Sequence, residues 1–169
     1  MTEAKPLAEL DEPFSAPDAK PVPWWVALDV LEGAGVYWLS TVRPDGRPHV
    51  TPVAGVLMDE SMFFATGPTE RKTRNLERNS HCILTTGCNN FKQGLDIVLE
   101  GNAERMIDNS KVERLAAMFA TKYEDYFGFS AGDGAFTHSQ GLAYVFEVAP
   151  VKAFSYRRAE VGGATRYRF

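Results

Sequence analysis

The tetrad PDGR, residues 44 to 47, lies between two runs that read as strands, and it restricts the possible folds more than any other feature of this chain. Proline presets the first corner of a turn, and Asp-Gly accepts the tight backbone that joins antiparallel neighbours. The flanking runs, VYWLSTV and His49 to Met58, therefore read as the two strands of a hairpin. In the second, Val50, Ala54, Val56 and Met58 share one face, and Thr51, Val53, Gly55 and Leu57 share the other. Pro52 has no amide hydrogen, which suits an edge, a bulge or a gap facing a ligand. Asp59-Glu60 makes another tight connection, into the strand SMFFAT.

Further strands follow in HCILTTG, in LDIVLEGNAERM with a bulge or sharp coil expected at Gly101, and in LAYVFEV and KAFSYR, divided by Pro150. Three helical stretches interrupt them. Trp24, Leu28 and Leu31 share a face of a short helix ended by Gly33 and Gly35. A basic helix is expected from about Thr69 to Arg78. Asp108 caps a third, whose Val112, Leu115, Ala116, Phe119 and Tyr123 form an apolar stripe. Six or more strands with small helices between them predict a mainly β chain, an antiparallel barrel with helical additions. Its 169 residues fit one domain that buries about two thirds of the unfolded surface. Residues 1–23, rich in Pro, Ala and acids, read as an extended arm suited to lying across a partner subunit, and 24–169 as the single domain. The segment 123 to 141, rich in Gly and aromatics, is long for a connector and reads as a lid or a dimer contact.

A net charge of -4 and a pI near 5.4 argue against a nucleic-acid binder. Cys82 and Cys88, ~20 Å apart along an extended strand, read as reduced thiols. With no charged leader before an apolar run and no long apolar stretch, the expectation is a cytoplasmic protein. His49, His81 and His138 lack ligand spacing, so no metal is expected. Cys82 and its neighbour His81 point to opposite faces of a strand, away from a thiolate pair. Asp96, Glu100 and Glu104 share a strand face, as a solvated or intersubunit face would arrange them. No acid, base or nucleophile stands out, and the catalytic residues stay unassigned.

One stretch does point to a ligand. GPTERKTRNLERN, residues 67 to 79, sets Arg71, Lys72 and Arg74 at a helix start, where the helix dipole already contributes about half a positive charge. With Thr69 as the cap, Arg71 and Lys72 would make an anion site suited to phosphate. An exposed helix whose Glu70 and Arg74 pair at i, i+4 accounts for the same residues.

Taken together in this order, DGRPHVTPV and FFATGPTERKTRNLERN resemble the signature half of the pyridoxamine 5'-phosphate oxidase-like family, the flavin-binding split β-barrels. The resemblance runs from Trp38 to the closing ATRYRF and implies an antiparallel split barrel of Greek-key type. It implies that Thr51, Pro52 and Val53 line the flavin, that Ala65 and Thr66 lie beside it, and that Arg71 and Lys72 clamp its phosphate. Trp38, Tyr167 and Arg168 are candidates for the pocket wall, with barrel packing or terminal pairing as the alternative. The family's serine is replaced here by Glu70, an acid that must turn outward to spare the phosphate.

The family also completes its site with a second subunit, which implies a homodimer. The strand ending at Glu100-Gly101 resembles the contributing segment, and Trp24-Trp25 with the 123 to 137 loop would anchor the interface. Thr51 and Val56 occupy the places where the vitamin B6 oxidases carry an arginine and a lysine, so pyridoxamine phosphate oxidation is not expected. The closing Arg-aromatic-Arg-Phe is closer to the flavin- and deazaflavin-dependent reductases. The implied activity is hydride transfer through FMN, or through the deazaflavin coenzyme F-420, to a small-molecule acceptor. Glu70 favours FMN over the longer polyanionic coenzyme. A dimeric module that holds a flavin or haem-like ligand without turnover is the reading from another class.

Overall fold

The hairpin expected at PDGR forms, and its turn explains its glycine: Gly46 takes φ 83° and donates its N–H to the Arg43 carbonyl at 2.9 Å. The computed structural model describes residues 6–169. The hairpin strands are β2 (Tyr37–Val42) and β3 (Pro48–Val53), and the chain breaks at Ala54 before β4 (Gly55–Met58). The single strand expected from His49 to Met58 is thus two. β3 pairs with β2, whereas β4 pairs with β5 (Ser61–Thr66) across the Asp59-Glu60 turn, where both residues take positive φ.

The alternation read across that break is kept, because each face feeds a different hydrophobic cluster. Val53 and Leu57 join the barrel core with Tyr37, Leu39, Phe64, Leu84, Ile97 and Leu99. Val56 and Met58 join a second cluster under α3 (Asn109–Lys122), with Leu115, Phe119, Phe136 and Val145. Helix α1 (Trp24–Gly33) closes one side of the barrel core with Trp24, Ala27 and Leu31 buried. The Asp108 side chain caps α3 by accepting from the Lys111 N–H at 2.8 Å.

After the short α2 (Arg71–Leu76), β6 (His81–Thr86) and β7 (Gly94–Met106) complete the central sheet against β10 (Gly141–Arg158). LAYVFEV and KAFSYR are one continuous strand, β10, and not two. The irregularity expected at Gly101 lies opposite it: Val151 is the extra residue between the pairs Pro150–Gly101 and Lys152–Glu100. Gly101 is needed because a Cβ there would sit 2.4 Å from the Ala149 carbonyl oxygen. The main sheet runs β1-β11-β10-β7-β6-β2-β3, with β1 (Leu7–Asp11) and β11 (Gly163–Arg168) pairing at its far edge. Described arm residues therefore extend this chain's own sheet, from Leu7 opposite Arg168 to Asp11 opposite Ala164. The pairs are antiparallel throughout, in a mainly β split barrel with three small α-helices.

The 123–141 segment carries structure of its own: β8 (Ser130–Gly132) and β9 (Ala135–His138) form a hairpin that joins the start of β10. Trp24 is buried in the barrel, its ring tilted against that of Tyr167 at 4.9 Å, and so is not free to anchor an interface; Trp25 is 63% exposed.

Candidate functional site

Strand β3 ends the main sheet order, so one of its backbone edges is unpaired among the described strands. Along it, side chains alternate: His49, Thr51 and Val53 turn inward, while Val50 and Pro52 turn out beside Trp38 of β2. Thr51, Pro52 and Val53 therefore cannot all offer side chains to one ligand, but their main chain can run along one. The Thr51 hydroxyl oxygen is buried and has no hydrogen-bond partner, an unmet polar group at the centre of the expected site.

Helix α2 packs against β2, the neighbour of this strand. Its buried Asn75 donates Nδ2 to the Thr41 hydroxyl at 2.9 Å, and Thr41 Oγ1 lies 3.4 Å from His49 Nδ1. The Asn75 side-chain oxygen is likewise buried without a partner. Partial burial holds the His49 imidazole below its ordinary pKa, and Arg43, Lys72 and Arg71 add to that by repelling a proton. Three cations thus lie within electrostatic reach of His49 on β3, two of them, Arg43 and Arg71, exposed. The sequence reading named two of them; Arg43, just before the PDG turn, was not singled out because its role depends on the hairpin closing.

The start of α2 differs from the sequence expectation in three respects. Its cap position is Glu70, not Thr69, and the helix spans six residues. Glu70 does not turn outward, nor does it pair with Arg74. Its carboxylate folds back, accepting from the Gly67 N–H at 2.8 Å and the Thr66 hydroxyl at 3.1 Å, and it forms an ion pair with the buried Lys72 ammonium. Burial alone would raise this carboxyl, yet the Lys72, Gly67 and Thr66 donors hold it below its ordinary range. Arg71 is exposed, so it is the cation free to meet a ligand, while Lys72 is engaged by an internal partner.

Ala65 and Thr66 of β5 line a cleft of about 470 Å³ with Gly67, Glu70, Phe127, Phe129 and His138. The 123–141 hairpin thus covers the end of β5 within the same chain. Phe127 and Phe129 stack with ring centroids 5.1 Å apart, and His138 meets the Phe129 ring edge-on. Tyr167 and Arg168 do not line a pocket. Tyr167 is buried in the barrel with its hydroxyl donating to the Val22 carbonyl at 2.8 Å, and Arg168 pairs with Glu9 across β1 and β11 at 3.0 Å. Asp96 pairs with Arg158 at 2.6 Å, and Glu100 with Lys152 at 3.6 Å. His81 is exposed and Cys82 buried, on opposite faces of β6. Both cysteines are free thiols.

Among solved structures, a conserved hypothetical protein from Mycobacterium tuberculosis superposes with a TM-score of 0.67 at 17% identity, covering 85% of this chain and 89% of its own. An FAD binding protein from Mycobacterium smegmatis follows with a TM-score of 0.56 at 15% identity, covering 88% of this chain and 98% of its own. An F-420 reductase gives a TM-score of 0.56 at 20% identity, with 74% and 93% covered. At these identities the likeness shows the fold. None of the curated proteins matches the sequence. No helix among the described residues is long and apolar enough to cross a membrane. The family model described as pyridoxamine 5'-phosphate oxidase matches residues 26–155, from α1 to near the end of β10. By that match the chain belongs to the pyridoxamine 5'-phosphate oxidase family.

Proposed function

We propose that this chain is a flavin-dependent oxidoreductase that binds FMN along β3 and passes hydride to a small-molecule acceptor. The observation that carries the reading is the buried, unpartnered Thr51 hydroxyl on β3, a strand whose His49 feels the positive charge of Arg43, Lys72 and Arg71. Positive charge in reach of a strand with an unmet hydroxyl and a free edge suits a group that joins a phosphate to a flat ring. A bound flavin supplies the hydride chemistry itself.

The chain's own residues bind, orient and shield. Arg71 and Lys72 neutralise the phosphate, and the Thr51 hydroxyl completes its hydrogen bonding there. The main chain of Thr51 to Val53 and of Ala65 to Thr66 would hold the flavin. No carboxylate or imidazole is assigned a proton, in keeping with chemistry that the cofactor carries. Lys72 reaches a phosphate by giving up part of its pairing with Glu70, so Glu70 sets how strongly that cation is offered.

A second copy of the chain completes the site in this reading. Trp38 and Val50, 51% and 53% exposed on the outer face of β2 and β3, supply apolar surface for it. Coenzyme F-420 is the second reading, and the Glu70–Lys72 ion pair favours it: an internally neutralised acid repels a polyanionic tail far less than a free one. Mass spectrometry of the small molecule that co-purifies under native conditions distinguishes FMN from the deazaflavin. Reduction by NADPH or by reduced deazaflavin, followed by re-oxidation with an acceptor, tests turnover. Absence of both a bound flavin and any turnover sinks the reading.

A further inference from the structure

Another cleft, of about 400 Å³, opens between α3, α1 and β4, and none of its lining residues belongs to the proposed flavin site. Its walls are apolar, from Val56, Leu57, Ala117 and Met118, and Lys122 stands in it with Glu32 and Arg114 as the other charged lining residues. Arg114 lies 3.8 Å from Asp59 in an ion pair.

The amine of Lys122 is held in an unusual way. Its Nζ donates to the Tyr37 hydroxyl at 2.8 Å, and that hydroxyl in turn donates its own proton to the Leu31 carbonyl. Because the Tyr37 proton is committed to Leu31, the amine can only donate to Tyr37, and the lone pair of a neutral Lys122 is left free for the cleft. No carboxylate lies within ion-pair distance of Lys122 among the described residues. The groups facing it are Glu32 from α1, Tyr37 from β2, Arg114 from α3 and Tyr123 just after that helix. Burial lowers the Lys122 pKa from the ordinary lysine value to about 8, with Glu32 opposing the shift. The rings of Tyr37 and Tyr123, 5.1 and 5.7 Å from Nζ, give the ammonium some support and bound the amine on two sides.

We propose that Lys122 and its apolar cleft form a reversible capture site for apolar aldehydes, a site separate from that of the flavin. Nζ attacks the carbonyl carbon, and a C–N bond forms. The carbonyl oxygen then leaves as water with the two amine hydrogens, giving an imine with no change in oxidation state. The cleft supplies the apolar wall that holds the aldehyde's chain beside the amine.

The test treats the full chain with hexanal and cyanoborohydride at pH 7 and maps alkylated lysines by peptide mass spectrometry. At that pH a lysine of pKa near 8 has a neutral fraction roughly 200 times that of an ordinary lysine of pKa ~10.4. Lower basicity offsets part of this, so Lys122 is expected to react about tenfold or more faster than the exposed Lys111 on the same helix. Ala117→Phe, at an exposed position that narrows the cleft, is expected to remove most of the preference while leaving the Lys111 rate unchanged. Replacing hexanal with glycolaldehyde, which gains nothing from an apolar wall, is expected to shrink it as well. Equal rates at Lys122, Lys111 and Lys152, or a Lys122 rate untouched by Ala117→Phe, overturn the proposal.

Discussion

Lys72 and Lys122 both carry an amine into the shelter of the fold, and they meet opposite chemistry there. Lys72 is buried against the carboxylate of Glu70, two residues back, which is itself fixed by Gly67 and Thr66. Lys122 is half-buried against a neutral hydroxyl whose proton is already spent on a backbone carbonyl. A carboxylate partner stabilises the ammonium and keeps a positive charge in place, ready to exchange one anion for another. A hydroxyl partner offers little to the charge, and burial then makes the proton easier to lose. The partner, more than the burial, decides whether such a lysine binds by charge or reacts by its lone pair.

The largest test of this contrast concerns the cationic end. Replacing Arg71 and Lys72 together by Ala is expected to weaken flavin binding by roughly 2–5 kcal/mol, the scale of losing charge-assisted bonds to a partly buried anion. Fluorescence titration with FMN reads it directly, and an unchanged affinity removes these residues from the site. Next, Lys72→Met strips Glu70 of its cation and is expected to cost about 1–2 kcal/mol of folding stability, reduced by the partial exposure of Glu70. Denaturant unfolding measures this, and a neutral outcome would mean the ion pair holds nothing.

The Lys122 end responds to pH in a direction that can be worked out. Its folded pKa of about 8 lies below the unfolded value, so between pH 8 and about 10 the unfolded chain binds more protons and stability rises with pH. Solvent screening of the partly exposed group leaves a gain of about 1 kcal/mol. Above the ordinary tyrosine pKa near 10 the trend reverses, because burial raises the phenols of Tyr37, Tyr123 and Tyr167 and they keep their protons longer in the fold. Thermal melts across this range check both slopes; in Lys122→Met the rise disappears. That variant itself is expected to fall within about 0.5 kcal/mol of the parent at pH 7, since it removes a poorly compensated charge and leaves the Tyr37–Leu31 bond intact. The smallest effect is at the acid end: Glu70, held below its ordinary range, stabilises the fold above the unfolded glutamate pKa and loses that contribution as pH falls through its folded value. Glu70→Gln should flatten the corresponding part of the acid unfolding curve.

The sequence was most legible where the physics is local. The PDGR turn, the Asp108 cap, the α3 stripe and the two faces of 49 to 58 each rest on residues a few positions apart, and each stands in the structure. It was least legible where partners are distant or where backbone geometry decides. Lys122 and Tyr37 are 85 residues apart, and no periodicity links them. The Glu70–Lys72 pair escaped because Glu70 was read as a helical residue, for which i, i+4 to Arg74 is the natural partner. Its extended backbone at φ -68° and ψ 151° instead turns the side chain back over Gly67. The extra residue Val151 was placed on the wrong strand for a related reason: Gly101 marks where a neighbouring backbone comes close, and the neighbour holds the irregularity. Within the candidate site, the sequence supplied the residues of β3 and α2. It did not supply Arg43, and it gave the aromatic 123–141 segment as a lid or dimer contact without its place over the end of β5.

The pairing of β1 with β11 bears on how the molecule is made. In chain order these are the first and last strands described, and β11 stands between β1 and β10 in the sheet. During synthesis β1 therefore waits for every other strand before it can form a single ladder bond, and its attachment is the fold's most non-local step. Pulse-labelled hydrogen exchange during refolding should find the amides of Leu7–Asp11 among the last to be protected, well after those of the β2–β3 hairpin.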